Sequence, residues 1–280
     1  MPPLRTPDSN LSASPRKPLR HVNFLGIPVH SLTYDDMAAQ VDGWLQDKAG
    51  RSHHIACLNA YCLTLASDDP RLARIYRAAD IAGPDGMPFV YWIRSVHRRA
   101  CDRFYAPDVV LDLAARARTA GYTFYLYGAT PDVLQGMEAN LKARFPYLRI
   151  VGRHAPPFRP LTAEEDAQLC REVNALQPDI LCVGLGTPKQ DFWIDEHLHS
   201  MPGTVMLSAG ATFDFFGGRV RMAPRWIQRS GFEWLYRLLG PDWRRLLPRY
   251  TVLQARFLWR FGLQLLGLRY RTAVREDRPG

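Results

Sequence analysis

The sequence is poor in cysteine and lacks both long uncharged apolar runs and complete sets of metal ligands. Its five cysteines form no Cys-x-x-Cys pair, which argues against a disulfide framework and predicts reduced thiols in a cytosolic protein. Arg256 and Arg260 interrupt the most apolar stretch, so we expect no membrane-spanning helix, which needs roughly 18 uncharged residues. His53-His54 and His197-x-His199 lack the further ligands of a metal site. We expect neither a metal nor a cofactor.

Motifs of several common enzyme classes are also missing. No serine lies in a Gly-x-Ser-x-Gly elbow, and the Gly-Lys-Ser/Thr of a P-loop is absent. Gly184-x-Gly186 lacks the third glycine of the dinucleotide fingerprint. These absences disfavour a serine hydrolase and the binding of ATP or NAD. Residues 1–20 are rich in proline and serine without the apolar segment of a signal peptide, and we expect a disordered arm.

Positive charge is concentrated in the last quarter of the chain. Residues 219–275 contain thirteen arginines, no lysine and only two acids, Glu233 and Asp242, whereas the whole chain has a net charge of +9. Four of the seven tryptophans lie there too. Arginine among tryptophan and leucine is typical of a surface where an apolar phase meets phosphate. We predict that residues 219–272 form a helical appendage that docks on an anionic membrane, followed by a tail at 273–280. Nucleic acid and a merely solvated basic face are the alternatives.

Residues 21–218 alternate between short apolar runs and helical patterns. This alternation predicts an α/β domain with a Rossmann-like, largely parallel sheet flanked by helices. A capping box at Thr33 to Asp36 opens the first helix, which we expect to reach about residue 47. The predicted strands are residues 23–29, 54–58, 123–127, 149–151, 180–184 and 205–208, and the further helices are 107–120, 131–145 and 162–176.

From residue 241 onward the pattern predicts one long amphipathic helix. Apolar residues recur at steps of three or four from Leu246 to Leu268, and Arg245, Arg249, Arg256 and Arg260 follow one edge of this stripe. Such a helix is typical of a membrane interface. The alternative is a helix that packs on its own domain.

Because ligands of parallel sheets bind beyond the carboxyl ends of the strands, four loops are candidates for the site. Pro84-Asp85-Gly86 places a carboxylate at a strand end, suitable for a general base. The run from Gly184 and Gly186 into a helix at Pro188 offers backbone amides to a phosphate. Asp214 follows another strand, and Gly128 begins a fourth loop. Each segment also has a plain alternative as a tight turn.

Taken in order, these segments resemble the WecG/TagA/CpsF glycosyltransferase family, from about residue 24 to about residue 260. The motifs that carry the resemblance are Leu58-Asn59-Ala60, Pro84-Asp85-Gly86, residues 103–108, Tyr127-Gly128-Ala129-Thr130-Pro131, residues 183–190, residues 210–214 and residues 221–237. The resemblance implies an inverting, metal-independent sugar transfer from a UDP-sugar to a polyprenyl-diphosphate-linked acceptor. It also implies a peripheral position on the cytoplasmic face of the inner membrane, and leaves homo-oligomerisation open. The alternative is a non-catalytic module that binds nucleotide or anionic lipid.

The resemblance also implies roles for individual residues. Asp85 is then the base, and Asn59 positions the substrate beside it. The implied contacts to the UDP-sugar come from Gly128, Gly184, Gly186, Lys189, Gln190 and Asp214, and those to its diphosphate from Arg237, Arg244 and Arg249. Cys57 stands where the family commonly has threonine.

Overall fold

The structure, a computed structural model, describes residues 19–46, 50–240 and 243–270. Its centre is a six-stranded parallel sheet with the strand order β4-β3-β8-β7-β5-β6. An antiparallel hairpin of β1 and β2 lies beside it. The strands are β1 (Arg20–Phe24), β2 (Ile27–Ser31), β3 (His53–Leu58), β4 (Ile81–Pro84), β5 (Thr123–Gly128), β6 (Arg149–His154), β7 (Ile180–Gly184) and β8 (Val205–Ser208).

Helices cover both faces of the sheet. Those of the first half are α1 (Tyr34–Leu45), α2 (Ala60–Ala66), α3 (Pro70–Ala78), α4 (Met87–Val96), α5 (Ala106–Ala120) and α6 (Pro131–Arg144). Those of the second half are α7 (Ala163–Leu176), α8 (Lys189–His197), α9 (Thr212–Phe216), α10 (Arg225–Ser230), α11 (Glu233–Leu238), α12 (Trp243–Tyr250) and α13 (Val252–Leu265). The predicted Rossmann-like α/β class is confirmed.

The apolar runs of the sequence became the buried strands of this sheet. Strand β7 is almost wholly buried, as expected for a parallel strand with helices on both faces. One core cluster joins α1, α5 and α6 to the sheet, and two others fill the opposite face. The capping box of α1 is confirmed: Thr33 Oγ1 accepts from the Asp36 amide at 3.2 Å, and Asp36 accepts from the Thr33 amide at 2.8 Å.

Three local predictions were wrong. Residues 23–29 do not form one strand, because Leu25 and Gly26 adopt positive φ values of 53° and 82° and turn the chain into the β1–β2 hairpin. Strand β4 was not among the predicted strands, since only four residues precede Asp85 in extended form. The predicted long helix after residue 241 is two helices, and Pro248, which has no amide hydrogen, lies just before the break at Thr251.

Helix α13 packs on the α/β domain through part of its predicted apolar stripe. Phe257 is buried, and Phe261 stacks on Phe24 with ring centroids 5.5 Å apart. Arg256 and Arg260 both pair with Asp68, at 2.9 and 2.5 Å. On this face the helix follows the alternative we considered, that of packing on its own domain.

Helices that could cross a membrane are absent from the described residues. Strand β1 begins at Arg20, so the last residue of the predicted arm belongs to the fold. Residues 1–18 of that arm, and the predicted tail at 273–280, lie outside the described residues.

Candidate active site

A cleft of about 690 Å³ opens at the carboxyl ends of the parallel strands. The loops that follow β3, β4, β5, β7 and β8 line it, together with residues of the C-terminal helices. Seven of the eleven predicted site residues line this cleft: Asn59, Asp85, Gly184, Gly186, Gln190, Asp214 and Arg237. The parallel topology therefore brings together residues that are far apart in the sequence.

Asp85 lies at the mouth of β4 in a small polar network. Asn59, the N-cap of α2, donates from Nδ2 to Asp85 Oδ2 at 3.4 Å, while its Oδ1 accepts from the Cys62 amide. Arg103 approaches Asp85 Oδ1 at 3.3 Å and Glu233 at 2.8 Å. The side chains of Asp85 and Arg103 are 14% and 18% exposed, so the carboxylate is partly desolvated but open to the cleft.

The charges around Asp85 favour a permanently cationic Arg103. Burial opposes the charged form of this guanidinium, but the nearby carboxylates of Asp85 and Glu233 more than compensate and raise its pKa. Tyr105, over whose ring the Arg103 Cζ lies at 4.3 Å, has its pKa raised by burial and then by Glu233. The tyrosine is therefore a neutral hydroxyl at the cleft wall.

Gln190 ties two loops of the cleft together. Its Oε1 accepts from the amides of Gly186 and Gly210, both at 3.1 Å, and its Nε2 donates to Thr187 at 3.3 Å. The side chain is buried although it lines the cleft. Gln190 thus fixes the geometry of the loops after β7 and β8. Because the Gly186 amide donates to Gln190, it is not available to the phosphate for which we predicted it.

The two glycines after β7 are required for different reasons. Gly186 has a φ of +78° with open space around a Cβ position, so its backbone conformation demands glycine and leaves the cleft free. A Cβ on Gly184 would overlap the ring of Phe213. Gly184 therefore serves close packing of the loop rather than direct approach of a ligand.

Cationic and anionic groups occupy the side of the cleft formed by α9 and α11. Arg237 lines the cleft with its Cζ 5.5 Å from the Phe215 ring centroid, and the exposed Arg219 lies on the same wall. Asp214 in α9 adds a carboxylate. Leu246 and Leu253 of α12 and α13 complete the wall, so the C-terminal helices are part of the site.

The remaining four predicted residues are not among those that line the cleft. Gly128 lies beneath it, where a Cβ would come within 2.6 Å of the Gly184 backbone. Lys189 is exposed at the start of α8. Arg244 is exposed and lies over the Trp243 ring at 5.4 Å. Arg249 belongs to α12, but its side chain lies outside the described part of the molecule.

A buried polar chain runs below the cleft floor from Ser208. Ser208 donates to Asp191 Oδ1 at 3.0 Å, and His54 Nε2 lies 3.0 Å from the same hydroxyl. Burial raises the pKa of Asp191 to about 6, against the effect of the Ser208 hydrogen bond. Burial likewise lowers the pKa of His54 to about 4. Near neutral pH this series of hydrogen-bonded side chains thus consists of the neutral imidazole of His54, the hydroxyl of Ser208 and the carboxylate of Asp191.

Sequence reasoning missed several residues that line the cleft or lie beside Asp85. Arg103, which pairs with Asp85, and Tyr105, which lines the cleft, belong to a motif that supports the family resemblance, but we assigned them no role there. Glu233 is one of only two acids in the arginine-rich segment, which indicates a specific ion pair, here with Arg103. Phe158, which lines the cleft from the loop after β6 and is 96% exposed, had no sequence signal.

Comparison with known proteins identifies the family. The model of the Glycosyl transferase WecG/TagA/CpsF family matches residues 22–271. The chain belongs to this family. It is similar to the N-acetylglucosaminyldiphosphoundecaprenol N-acetyl-beta-D-mannosaminyltransferase of Bacillus subtilis (strain 168), with 31% identity over 173 residues. That match spans 60% of this chain and 66% of the relative, just under two thirds of its length. The WecG/TagA/CpsF resemblance seen in the motifs is confirmed.

Proposed function

We propose that this chain is an inverting glycosyltransferase that moves a sugar from a UDP-sugar to a polyprenyl-diphosphate-linked acceptor. The observation that carries the proposal is the single cleft that holds the Asp85–Asn59 pair together with Arg237, Arg219 and the amide-rich loops. Family membership and the name of the Bacillus subtilis relative, which acts on a diphosphoundecaprenol substrate, support the choice of reaction and acceptor.

In the proposed reaction Asp85 is the general base. Its carboxylate takes the proton of the acceptor hydroxyl while that oxygen forms a bond to the anomeric carbon of the donor. The bond between the anomeric carbon and the diphosphate oxygen breaks, and UDP leaves with the electron pair on the opposite face. Attack and departure on opposite faces invert the anomeric centre. Asn59 holds Asp85 through its 3.4 Å hydrogen bond and keeps the carboxylate at the strand end.

The leaving diphosphate needs stabilisation as its charge grows. Arg237 and Arg219 provide guanidinium groups on one wall of the cleft, and guanidinium binds phosphate in a bidentate manner. The start of α8 adds the positive end of a helix dipole behind Gly186 and Thr187. We propose that these groups, and not a divalent cation, balance the charge of the departing UDP.

The exposed apolar residues of the C-terminal helices suit docking on a membrane that carries the acceptor. Thirteen of the eighteen large apolar side chains that are exposed in the described residues lie between Trp226 and Leu268. Trp259 and Leu266, for example, are 70% and 74% exposed. Because α12 and α13 also line the cleft, docking would place the acceptor's head group beside Asp85. We propose a peripheral position on the cytoplasmic face of an anionic membrane.

The decisive experiment measures transfer and donor binding separately in Asp85→Asn. Loss of a general base lowers turnover by about 10² to 10⁴-fold, so we expect radiolabel transfer from the UDP-sugar to a polyprenyl-diphosphate glycan to collapse. Binding of UDP, measured by calorimetry, should change little because Asp85 faces the acceptor. Glu164→Gln is the matched control, since Glu164 is an exposed carboxylate at the start of α7 that does not line the cleft.

Two results would contradict the proposal. Full transfer by Asp85→Asn would remove Asp85 as the base, and UDP binding without transfer by the wild-type chain would favour the non-catalytic module. The same assay in the presence of EDTA tests whether a divalent cation is needed to balance the charge of the departing UDP. Turnover that requires added magnesium or manganese would show that the arginines and amides do not suffice.

A further inference from the structure

Helices α7 and α8 bring three metal-ligating side chains together outside the cleft. Asp166 and Cys170 lie one turn apart on α7, and His197 is the last residue of α8. One ligand atom from each, a carboxylate oxygen, the thiol sulfur and an imidazole nitrogen, all lie within 4.8 Å of one another. None of the three lines the candidate active site. The spacing does not predict this cluster, because His197 is separated from Cys170 by more than twenty residues.

The contacts of the His197 ring orient its Nε2 atom toward the other two candidate ligands. Nδ1 lies 2.7 Å from the Trp193 carbonyl oxygen, an acceptor, so Nδ1 must carry the hydrogen. Nε2 lies 3.0 and 3.2 Å from the two carboxylate oxygens of Asp166. A neutral ring would then set a nitrogen lone pair against carboxylate lone pairs, which repel. Either a proton shared by Nε2 and Asp166 or a metal ion must therefore lie between the two groups.

Cys170 decides between these two cations. A proton shared by His197 and Asp166 needs no third ligand, yet the sulfur of Cys170 lies in the same cluster. A soft or borderline cation, in contrast, would recruit the sulfur as thiolate. The backbone carbonyl behind Nδ1 is the partner that metal-bound histidines commonly have on their other nitrogen. The position of the sulfur beside the paired His197 and Asp166 is what a metal explains.

We propose that Asp166, Cys170 and His197 form a Zn²⁺ site that joins α7 to α8. A carboxylate, a thiolate and a neutral imidazole balance the charge of Zn²⁺. With bonds of about 2.0 to 2.3 Å, tetrahedral ligand atoms lie about 3.3 to 3.5 Å apart, whereas those of the cluster lie within 4.8 Å of one another, so metal binding requires them to shift by about 1 Å. Asp166 is 38% exposed, which leaves a fourth position for water.

A metal bound at this site would stabilise the fold and fix the position of α8. His197 ends α8, whose first turn carries Gln190, the residue that joins the β7 and β8 loops. A metal at His197 therefore holds the far end of the helix that organises the cleft. This role is independent of the proposed transfer chemistry, which needs no metal at the reacting atoms.

The test uses Co²⁺ as a spectroscopic probe on the full chain. The protein is treated with a chelator, freed of it and titrated with Co²⁺. We expect a thiolate-to-cobalt charge-transfer band that saturates at one equivalent and is abolished by competing Zn²⁺. Cys170→Ser should eliminate the band, and Asp166→Asn and His197→Gln should weaken Zn²⁺ binding at least about tenfold. His199→Gln is the matched control, because His199 is exposed two residues away and is not part of the cluster.

A second measurement needs no variant and so does not depend on variant folding. Alkylation of Cys170 by iodoacetamide, followed by peptide mass spectrometry, should slow in Zn²⁺ and not in Mg²⁺, with Cys57, the other cysteine that is not buried, as the internal reference. Absence of a charge-transfer band in the wild-type chain would overturn the site. So would a band that survives in Cys170→Ser, or equal alkylation of Cys170 with and without Zn²⁺. Asp166 and His197 would then be an ordinary ion pair.

Discussion

Arg103 is expected to hold the candidate base and the C-terminal helices in one structure. It pairs with Asp85 at 3.3 Å and with Glu233 of α11 at 2.8 Å, and donates to the Gln228 carbonyl of α10 at 3.2 Å. Replacing it by methionine keeps an unbranched apolar stem but leaves two carboxylates, only 14% and 10% exposed, without their shared cation. The removal of one partner from a buried pair costs about 3 to 5 kcal/mol.

We expect Arg103→Met to lose about 3 kcal/mol of unfolding free energy, the lower end of that range, since both carboxylates retain some water. The loss is a large part of the stability of a typical domain. Urea unfolding at pH 7, followed by far-ultraviolet circular dichroism, measures it. Arg225→Met is the control: Arg225 pairs with Asp108 at 2.7 Å but is 42% exposed, and such pairs contribute about 1 kcal/mol or less.

The double variant Arg103→Met with Glu233→Gln separates charge from packing. If the cost arises from stranded carboxylates, neutralising Glu233 should recover at least about 1 kcal/mol. The acid limb of the kcat/KM profile of Arg103→Met should move to higher pH, because a carboxylate without its cation keeps its proton longer. Equal stability of Arg103→Met and wild type, or a double variant less stable than the single one, would refute this reasoning.

Three further predictions concern the fold, the membrane face and the buried polar chain. Gly184→Ala should cost about 1 to 3 kcal/mol because its Cβ overlaps Phe213, whereas Gly262→Ala, with open space in α13, should not destabilise; equal melting temperatures would contradict this. The double variant Trp259→Ala with Leu266→Ala should sediment less with anionic vesicles and keep its stability, since both side chains are exposed. Unchanged sedimentation would exclude this face as the membrane-binding surface. Asp191, with a pKa of about 6, keeps a proton between about pH 4 and 6 that the unfolded chain releases, so its contribution to stability falls as pH rises. His54, with a pKa of about 4, contributes stability that rises over the same window and offsets it. In Asp191→Asn the unfolding free energy should therefore rise more steeply from pH 4 to 6 than in the wild type, by up to about 3 kcal/mol over this range. An equal pH dependence in the two proteins would contradict the raised pKa of Asp191.

The sequence predicted the sheet well because buried parallel strands leave a simple signal. Runs such as residues 180–184 are apolar throughout, and only a strand between two helical layers requires that. Strand β4 left little signal, since its four residues include Gly83 and Pro84 and gain their extended form from pairing with β3. The hairpin turn was missed because Leu25 adopts a positive φ that its side chain does not favour.

The location of a cleft residue was predictable where that residue follows a strand. Asp85, Gly186 and Asp214 each follow a strand, and parallel strands end at one edge. Asn59 was predicted from the family resemblance instead. Lys189 and Arg244 carry the right charge in the right segment, but the direction in which a helical side chain points depends on packing that one sequence does not display. The same limit hid the cluster of Asp166, Cys170 and His197.

The C-terminal helices show why a basic segment cannot be assigned to one partner by composition. Arg256 and Arg260 lie on the edge that we assigned to a membrane, yet both neutralise Asp68 of the α/β domain. Phe257 of the same helix fills the core, while Trp259 next to it faces outward. One helix therefore packs on the domain with one face and leaves the other exposed. Because Glu233 in α11 also reaches Arg103 beside Asp85, a surface that docks these helices would act directly on the walls of the cleft.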